Sequence, residues 1–395
     1  MNVDLRDVSQ PTKSRGRRVA CAVVLLWISA AHAGSNAMSE LGRALFFDVN
    51  LSANRTQSCA SCHDPASGFH DPRGNGVAGA TSLGDDARSL GDRNAPSITY
   101  AAATPAFHLD SDGQYRGGLF HDGRAPDLSA QAVQPIMNPL EMALPDAAAV
   151  VARVRENPRY ADMLTGILGT TVWGDPETTL VTIGASIAAF EHDELFAPFD
   201  SKYDRYLRGD DTLSALEEMG RSLFFSPLTN CSSCHLLNVS SPKPGETFTN
   251  YRYHNIGIPV NRSLRKKNGL GMHHRDPGLL QNPAVTDPAL AGKFKVPSLR
   301  NVAVTAPYMH NGLFRELETA ILFYNKYTVN SRQSRTNPET GVPWGEPEVP
   351  DTIDIELLNQ GQPIDAGRVR ALVSFLKTLT DARYEHLLNS AGSKR

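Results

Sequence analysis

The stretch "LGRALFFDVNLSANRTQSCASCH" (residues 41–63) ends in a pentapeptide that the chain repeats at the end of "MGRSLFFSPLTNCSSCH" (residues 219–235). Two cysteines three positions apart lie on one helical turn, where their thiols can add to the two vinyl groups of a haem. The histidine that follows can ligate the haem iron. Each pentapeptide therefore predicts one covalently bound haem c. The predicted haem-binding residues are Cys59, Cys62 and His63 in the first copy and Cys231, Cys234 and His235 in the second.

Two other uses of a Cys-x-x-Cys pair fit this chain poorly. A thioredoxin-like redox pair is expected beside a βαβ pattern, and none is evident. A structural zinc site needs its second cysteine pair roughly 15–20 residues away, whereas Cys59 and Cys231 are 172 positions apart. Haem attachment is the interpretation that uses the adjacent histidines.

The first 33 residues have the pattern of a signal peptide. Basic residues precede the apolar run "VACAVVLLWISAA" (19–31), which ends in the small-residue site Ala31-His32-Ala33. The run is short for a membrane span, which needs about 20 residues. The leader carries five positive and two negative charges, so its removal changes the net charge from −3 to −6. This charge disfavours nucleic acid as a partner, and export predicts a periplasmic protein.

Both haem motifs follow the same sequence, Gly-Arg-x-Leu-Phe-Phe, which indicates that one haem-binding module is used twice. Apolar residues at helical spacing predict helices within 146–168, 178–195, 213–225 and 365–379. Long loops rich in Gly, Pro, Asn and Asp separate them, at 70–95, 105–127, 240–297 and 328–365. We therefore expect a mainly α fold with long loops and little β structure. The predicted division is a signal peptide at 1–33, an N-terminal domain at 34–199 and a C-terminal domain at 200–395.

A resemblance to a known family rests on two further stretches of sequence: "FHDGRAPDLSAQAVQPIMNPLEM" (120–142) and "FKVPSLRNVAVTAPYMHNGLFRELETAILFYN" (294–325). With the two haem motifs, they make residues 38–388 resemble the bacterial di-haem cytochrome c peroxidase and MauG family. The resemblance implies two cytochrome c-like haem domains in tandem. It implies a peroxidatic haem in the N-terminal domain, which reacts with hydrogen peroxide, and an electron-relay haem in the C-terminal domain.

The resemblance also implies a distal pocket on the peroxide side of the first haem. Gln131, Pro135 and Glu141 match the family's distal residues, with Glu141 as the acid–base carboxylate. Cleavage of the O–O bond requires a proton to move from one oxygen to the other, and a carboxylate beside an apolar pocket suits that transfer. Without the resemblance, Glu141 would be interpreted as a solvated charge after Pro139.

A calcium ion between the domains is implied in the same way. Asn94, Thr286 and Pro288 match the family's calcium ligands, because amide and backbone carbonyl oxygens suit a hard cation. Each stretch would otherwise be interpreted as a simple turn.

Two departures from the ordinary peroxidases bear on the irons. No histidine stands between His70 and His108 to cap the resting first iron, so we expect that haem to be open and His70 to be a surface residue. Tyr324 occupies the position that a methionine fills in those peroxidases. A phenolate there would favour oxidised iron, with Met309 as the competing ligand.

A third departure concerns the residue between the haems. His121 replaces the family's tryptophan, and it is expected to be a distal hydrogen-bond donor or a solvated loop residue. Thr229 likewise replaces the tryptophan that precedes the second haem motif in MauG.

Three functions remain open from the sequence. The first is an exported peroxidase that reduces hydrogen peroxide with electrons from a cytochrome c or a cupredoxin. The second is MauG-like oxidation of tryptophan or tyrosine side chains in a partner protein. The third is electron transfer alone, which the missing capping histidine disfavours. Monomer and homodimer are both compatible with the sequence.

Overall fold

The structure is a computed structural model that describes residues 36–236, 245–328 and 334–390, so the predicted signal peptide lies outside the described residues. The helices are α1 (36–46), α2 (Cys59–Cys62), α3 (Leu128–Ala132), α4 (Gln134–Met137), α5 (Ala147–Arg155), α6 (Pro158–Leu168), α7 (Pro176–Glu191), α8 (Lys202–Arg208), α9 (Ala215–Phe224), α10 (Arg262–Asn268), α11 (Leu317–Phe323), α12 (Asn325–Thr328), α13 (Ile355–Leu358), α14 (Ala366–Lys377) and α15 (Leu387–Ser390). The strands are β1 (His108–Leu109), β2 (Tyr115–Arg116), β3 (Tyr253–His254) and β4 (Phe294–Lys295), paired as two antiparallel ribbons, β1–β2 and β3–β4. The expectation of a mainly α fold with little β structure is confirmed. In the described ranges no helix is long and apolar enough to cross a membrane.

The predicted helices form close to the expected positions, and side-chain caps set their starts. Ser214 and Glu217 form a reciprocal capping box at the start of α9, which satisfies amide groups that have no partner within the helix. The segment 146–168 is two helices rather than one. The Asn157 side chain caps the Arg159 amide, and Pro158 begins α6, where a missing amide hydrogen is tolerated.

The two copies of the repeated module pack in the same way. A side chain built at Gly42 would lie 1.8 Å from the Ser186 carbonyl oxygen of α7. One built at Gly220 would lie 1.9 Å from the Ala371 carbonyl oxygen of α14. Only glycine allows helix backbones to approach so closely. The shared Gly-Arg-x-Leu-Phe-Phe sequence therefore supplies the glycine that allows a close crossing of two helices, and each copy of the module makes one such crossing.

Each copy surrounds its own hydrophobic core. The first core is built from buried residues between Leu41 and Phe196, and the second from residues between Tyr203 and Leu379. The chain then returns to the first core, where Tyr384 is buried and its hydroxyl donates to the Pro65 carbonyl at 3.0 Å. The domain boundary between residues 199 and 200 stays a prediction. The segment around Tyr384 follows the second core in the sequence but packs against the first core.

The duplication extends beyond the haem motifs. A turn closed by the bridge Leu119–Ala125 has a counterpart 189 positions later, closed by the bridge Tyr308–Phe314. Both turns hold a non-glycine residue in the left-handed region at the equivalent position, Phe120 with φ 62° and Met309 with φ 73°. The next residue is a histidine in both turns. Residues 189 positions apart therefore occupy equivalent places in the two halves of the chain. The segment that follows the turn at Phe120 corresponds to the segment that follows the turn at Met309.

Candidate functional site

The first haem motif is arranged to ligate iron. Helix α2 places Cys59 and Cys62 on one turn, and both are free thiols. The His63 Nδ1 lies 3.2 Å from the Phe69 carbonyl oxygen, which can only accept, so Nδ1 carries the hydrogen. Burial lowers the pKa of His63, and the ring is neutral. This tautomer leaves Nε2 as a lone-pair donor, as iron ligation requires.

The second haem motif repeats this arrangement. The His235 Nδ1 lies 3.4 Å from the Phe248 carbonyl oxygen, and burial lowers the pKa of His235 to about 4. Phe69 and Phe248 share the left-handed conformation, with φ of 57° and 56°, which turns each carbonyl toward its histidine. The cysteine pair lies on a 3₁₀ turn, Cys231–Ser233, rather than on an α-helix. The residues of both motifs fit a covalently attached haem.

A half-buried carboxyl group, that of Glu141, lies beside the first motif. Burial raises the pKa of Glu141, whereas the nearby Arg124 guanidinium and a hydrogen bond from Asn138 lower it. That bond runs from the Asn138 amide to Oε1 at 3.0 Å. The charge of Glu141 acts in turn on the Cys62 thiol, so the carboxyl faces the haem-attachment helix.

Two short helices support this carboxyl. Gln131 is on α3 and Pro135 is on α4, one turn further along. The Pro135 carbonyl accepts the Met142 amide at 3.2 Å, which folds the segment after α4 back beside it. The structure therefore brings Pro135 and Glu141 together at the ends of one tight turn, with Gln131 on the preceding helix.

The offset of 189 makes Pro135 and Tyr324 equivalent residues. Tyr324 directly follows the last residue of α11. Its pKa is raised, first by burial and then by the thiols of Cys234 and Cys231, which lie close to the phenol. Its phenol therefore faces the second haem motif. The same position above the first motif holds a proline, which has no atom that can ligate iron.

Met309, the competing ligand, lies in a different environment. It packs with Tyr308 against an apolar cluster that contains Phe314, Phe323 and Trp344. This packing favours Tyr324 as the residue that faces the second haem.

His121 is not a solvated loop residue. Its Nε2 donates to the Asn94 carbonyl at 2.9 Å, and its own carbonyl accepts the Lys295 amide at 2.8 Å. Burial lowers the pKa of His121 to about 4. Because the Nε2 hydrogen is already used, the geometry favours a role in joining the two domains over a role as distal donor.

An ion network that sequence reasoning did not find connects the domains next to His121. The fully buried Asp122 pairs with Arg124 at 2.9 Å and with Arg93 at 2.6 Å. Arg93 also pairs with Asp276 of the second domain at 2.6 Å. The signal in the sequence was the His-Asp-Gly-Arg motif, whose Asp122 is paired with Arg124 and with Arg93, the residue that reaches Asp276.

The loop after the first haem motif holds two further residues of interest. The guanidinium of Arg73 lies 3.2 Å from the Cys62 sulfur and pairs with Asp71 at 2.7 Å. The expectation that His70 is a surface residue is wrong. His70 is half-buried, and its Nδ1 bonds the Ser67 carbonyl within a tight turn that follows the haem motif.

The predicted calcium ligands lie on two separate loops. The Asn94 amide nitrogen lies 3.4 Å from the carbonyl oxygens of Gly79 and Ala80, whereas Thr286 and Pro288 are on an exposed turn. The described residues contain no group of three or more His, Cys, Asp or Glu side chains that could hold a metal ion. Calcium stays a prediction.

Comparison with known proteins agrees with this arrangement. A family model described as di-haem cytochrome c peroxidase matches residues 36–212. The chain is 52% identical over 361 residues to the methylamine utilization protein MauG of Paracoccus denitrificans (strain Pd 1222), and the match covers 91% of this chain and 93% of that protein. The chain belongs to the di-haem cytochrome c peroxidase and MauG family. It is therefore a di-haem oxidoreductase, and the family implies two haem c groups.

Other relatives place the chain within the same family. It is 32% identical over 296 residues to the cytochrome c551 peroxidase of Nitrosomonas europaea, with 74% of each chain covered. The crystal structure of the diheme peroxidase BthA from Burkholderia thailandensis E264 is similar with a TM-score of 0.76 and 32% identity, covering 88% of this chain and 87% of that one. The expected fold of tandem cytochrome c-like haem domains is confirmed.

Proposed function

We propose that this protein reduces hydrogen peroxide at the first haem, which is open at rest, and that the second haem relays electrons to it. The observation that supports the proposal is the difference between two equivalent residues, Pro135 and Tyr324, which are 189 positions apart. Pro135 lies near the first motif beside the half-buried carboxyl group of Glu141, whereas Tyr324 lies near the second motif. Pro135 would leave the iron of the first haem accessible, and Tyr324 would cap the iron of the second.

Glu141 is the proposed proton carrier of the distal pocket. As a carboxylate, Glu141 would take a proton from one oxygen of hydrogen peroxide, and as a carboxylic acid it would return that proton to the other oxygen, which would leave as water. Asn138 and Arg124 favour the charged form, while burial favours the neutral form. Glu141 can therefore alternate between the two forms. The bound haem supplies the iron at which the O–O bond breaks.

Tyr324 is the proposed cap of the second iron, and Met309 packs against the apolar cluster that contains Phe314. An anionic oxygen ligand stabilises ferric over ferrous iron and so lowers the reduction potential. We propose that Gln131 and Pro135 shape the distal side of the first haem, and that His121 connects the two domains without touching peroxide. Calcium, bound through backbone and amide oxygens between the domains, belongs to this proposal.

The proposed location is the periplasm, following export by the leader at residues 1–33. The proposed electron donor is a small cytochrome c or a cupredoxin, and no nucleic acid is involved. The oligomeric state, monomer or homodimer, is left open by this proposal.

The similarity to MauG favours a second candidate function, in which the oxidising equivalents of peroxide are used on tryptophan or tyrosine of a partner protein. Thr229 argues against a route through a tryptophan in front of the second haem motif. A gain of oxygen or a new cross-link in a protein encoded next to this one, detected by mass spectrometry after addition of peroxide, would establish this function.

Turnover with a reduced carrier tests the first candidate. Holoprotein mixed with peroxide and a reduced cytochrome c should oxidise two cytochromes per peroxide consumed, and continuously. Peroxide consumption without cytochrome oxidation, accompanied by modification of a partner protein, would favour the second candidate. If no peroxide is consumed, both are wrong and electron transfer alone remains.

A further inference from the structure

A buried tyrosine–carboxylate pair joins the first half of the chain to its C-terminal segment. Tyr100 is 2% exposed, and its hydroxyl donates to a carboxylate oxygen of the fully buried Asp381. The same hydroxyl oxygen accepts the backbone amide hydrogen of Phe199 at 3.3 Å. The phenol is therefore held in one orientation, and its hydrogen points at a group that can take up a proton.

On one side, Tyr100 is connected to the first haem motif. Its backbone amide donates to the Phe196 carbonyl at 2.9 Å. The Phe196 ring packs against the Phe69 ring, with 4.6 Å between the two centroids. Phe69 supplies the carbonyl that accepts the Nδ1 hydrogen of His63. Tyr100 is thus two contacts away from the residue that orients the first iron-binding histidine.

On the other side, Arg300 connects Tyr100 to the second haem motif. The Arg300 guanidinium lies 5.1 Å from the centroid of the Tyr100 ring and 5.3 Å from that of the Phe248 ring. Phe248 supplies the carbonyl that accepts the Nδ1 hydrogen of His235. Tyr100 therefore lies between the two residues that orient the iron-binding histidines.

The backbone along this connection is strained. Four of its aromatic residues have φ in the left-handed region, which is unfavourable for bulky side chains. They are Phe69 at 57°, Tyr100 at 61°, Phe199 at 46° and Phe248 at 56°. Such strain persists only where the surrounding structure holds it, and it is concentrated at functional sites. The strain singles out this set of aromatic residues as more than core packing.

The electrostatics around Tyr100 favour loss of an electron together with a proton. The positive charge of Arg300 opposes a second positive charge on the Tyr100 ring, so the ring can be oxidised only as its proton leaves. Burial raises the pKa of Asp381, against the opposing effect of the hydrogen bonds from Tyr100 and Asn301, and this suits the carboxylate to hold a proton. His121 has no such acceptor, because its Nε2 hydrogen is donated to a backbone carbonyl.

We propose that Tyr100 is a proton-coupled electron relay between the two haems, with Asp381 as its proton acceptor. This inference rests on the proposed peroxidase function and adds a residue to it. Tyr100 gives one electron toward the first haem, its O–H bond breaks, and the proton forms an O–H bond on Asp381. An electron arriving through the second haem reduces the tyrosyl radical, and the proton returns to Tyr100. Two such passes supply the two electrons that one hydrogen peroxide takes up.

A ring-fluorinated tyrosine at position 100 tests whether the radical forms there. The holoprotein is mixed with peroxide without an electron donor and frozen within milliseconds. We expect a tyrosyl radical whose electron paramagnetic resonance spectrum is split by the fluorine. The matched control carries the same amino acid at position 384, because the buried Tyr384 donates to a carbonyl, which takes up no proton. It should show the radical without the splitting. A radical that is not split by fluorine at position 100 would overturn the inference.

Turnover with reduced cytochrome c tests the relay itself. Tyr100→Phe keeps the ring and removes the phenolic proton, and Asp381→Asn removes the proton acceptor. Loss of a positioned proton acceptor should lower kcat about 10²-fold in Asp381→Asn, and Tyr100→Phe should show a similar loss because both changes block the same step. Tyr384→Phe should turn over like the wild type. The rate at which peroxide alone changes the haem spectrum should be equal in all four proteins.

The two measurements separate failure of the relay from failure of the proposed function. Fluorine splitting from position 100 in a protein that oxidises no cytochrome would contradict the proposed function and retain Tyr100 as the site of oxidation. Continuous cytochrome oxidation at equal rates in Tyr100→Phe and the wild type would overturn the relay and leave the proposed function standing. A holoprotein that does not react with peroxide would contradict both.

Discussion

Replacement of Glu141 by glutamine should slow the reaction with peroxide and leave the fold in place. Glutamine keeps the oxygen that accepts the 3.0 Å hydrogen bond from Asn138, so we expect the free energy of unfolding to change by about 1 kcal/mol or less. The amide cannot carry the proton between the two peroxide oxygens. Loss of a general acid–base group costs about 10²–10⁴-fold in rate. That corresponds to about 2.7–5.4 kcal/mol in the activation free energy.

Stopped-flow mixing of the diferric holoprotein with peroxide measures this rate directly. Glu177→Gln, an isosteric change at an exposed position of the same domain, is the matched control and should react like the wild type. Haem spectra of the three resting proteins should be nearly identical. A Glu141→Gln rate within two-fold of the control would remove Glu141 from the mechanism.

The pH dependence gives a second readout of the same residue. Burial raises the pKa of Glu141 above its usual 4.5, and only the charged form can accept the first proton. The rate should therefore fall as the pH decreases through this raised pKa. Asn138→Ala removes a hydrogen bond that lowers the pKa, so it should move the fall to higher pH. A fall at the same pH in Asn138→Ala and the wild type would mean that another group titrates.

Three other changes test the rest of the account. Cys59→Ser with Cys62→Ser should leave one covalent haem by mass spectrometry, and two retained haems would contradict the assignment. Pro135→Met places a thioether at the position equivalent to Tyr324, so it should cap the first iron and slow the peroxide reaction at least ten-fold. An unchanged rate would show that the two positions are not equivalent. Arg300→Met leaves Asp204, its partner at 2.9 Å, charged and buried, so urea unfolding should show a loss of about 3–5 kcal/mol. Asp204→Leu added to Arg300→Met should recover part of that loss, and a loss below about 1 kcal/mol would contradict the reasoning.

The sequence predicted the elements that follow from local chemistry. The two haem motifs, the helices of each core and the duplicated Gly-Arg-x-Leu-Phe-Phe text all depend on short spacings, and the structure has them close to where they were expected. The equivalence of Pro135 and Tyr324 was also present in the sequence. It became visible only when the matching turns at Phe120 and Met309 fixed the offset of 189.

The features that were missed depend on contacts between distant segments. Arg93 meets Asp276 across 183 positions, and Lys267 meets Gly76 across 191. No local pattern encodes such pairs, since either partner alone resembles a solvated charge. His70 was misplaced for a local reason, because its partial burial comes from the tight turn in which its ring bonds the Ser67 carbonyl. A short polar stretch does not reveal that packing.

The central claim is that one iron is open and the other is capped by Tyr324, and cyanide binding tests it most directly. The diferric holoprotein should bind one equivalent of cyanide, with a spectral change from the first haem alone. Tyr324→Ala, which removes the phenol, should bind two. Two equivalents bound with equal affinity by the wild type would mean that Tyr324 does not cap the second iron, and none bound would mean that the first iron is closed.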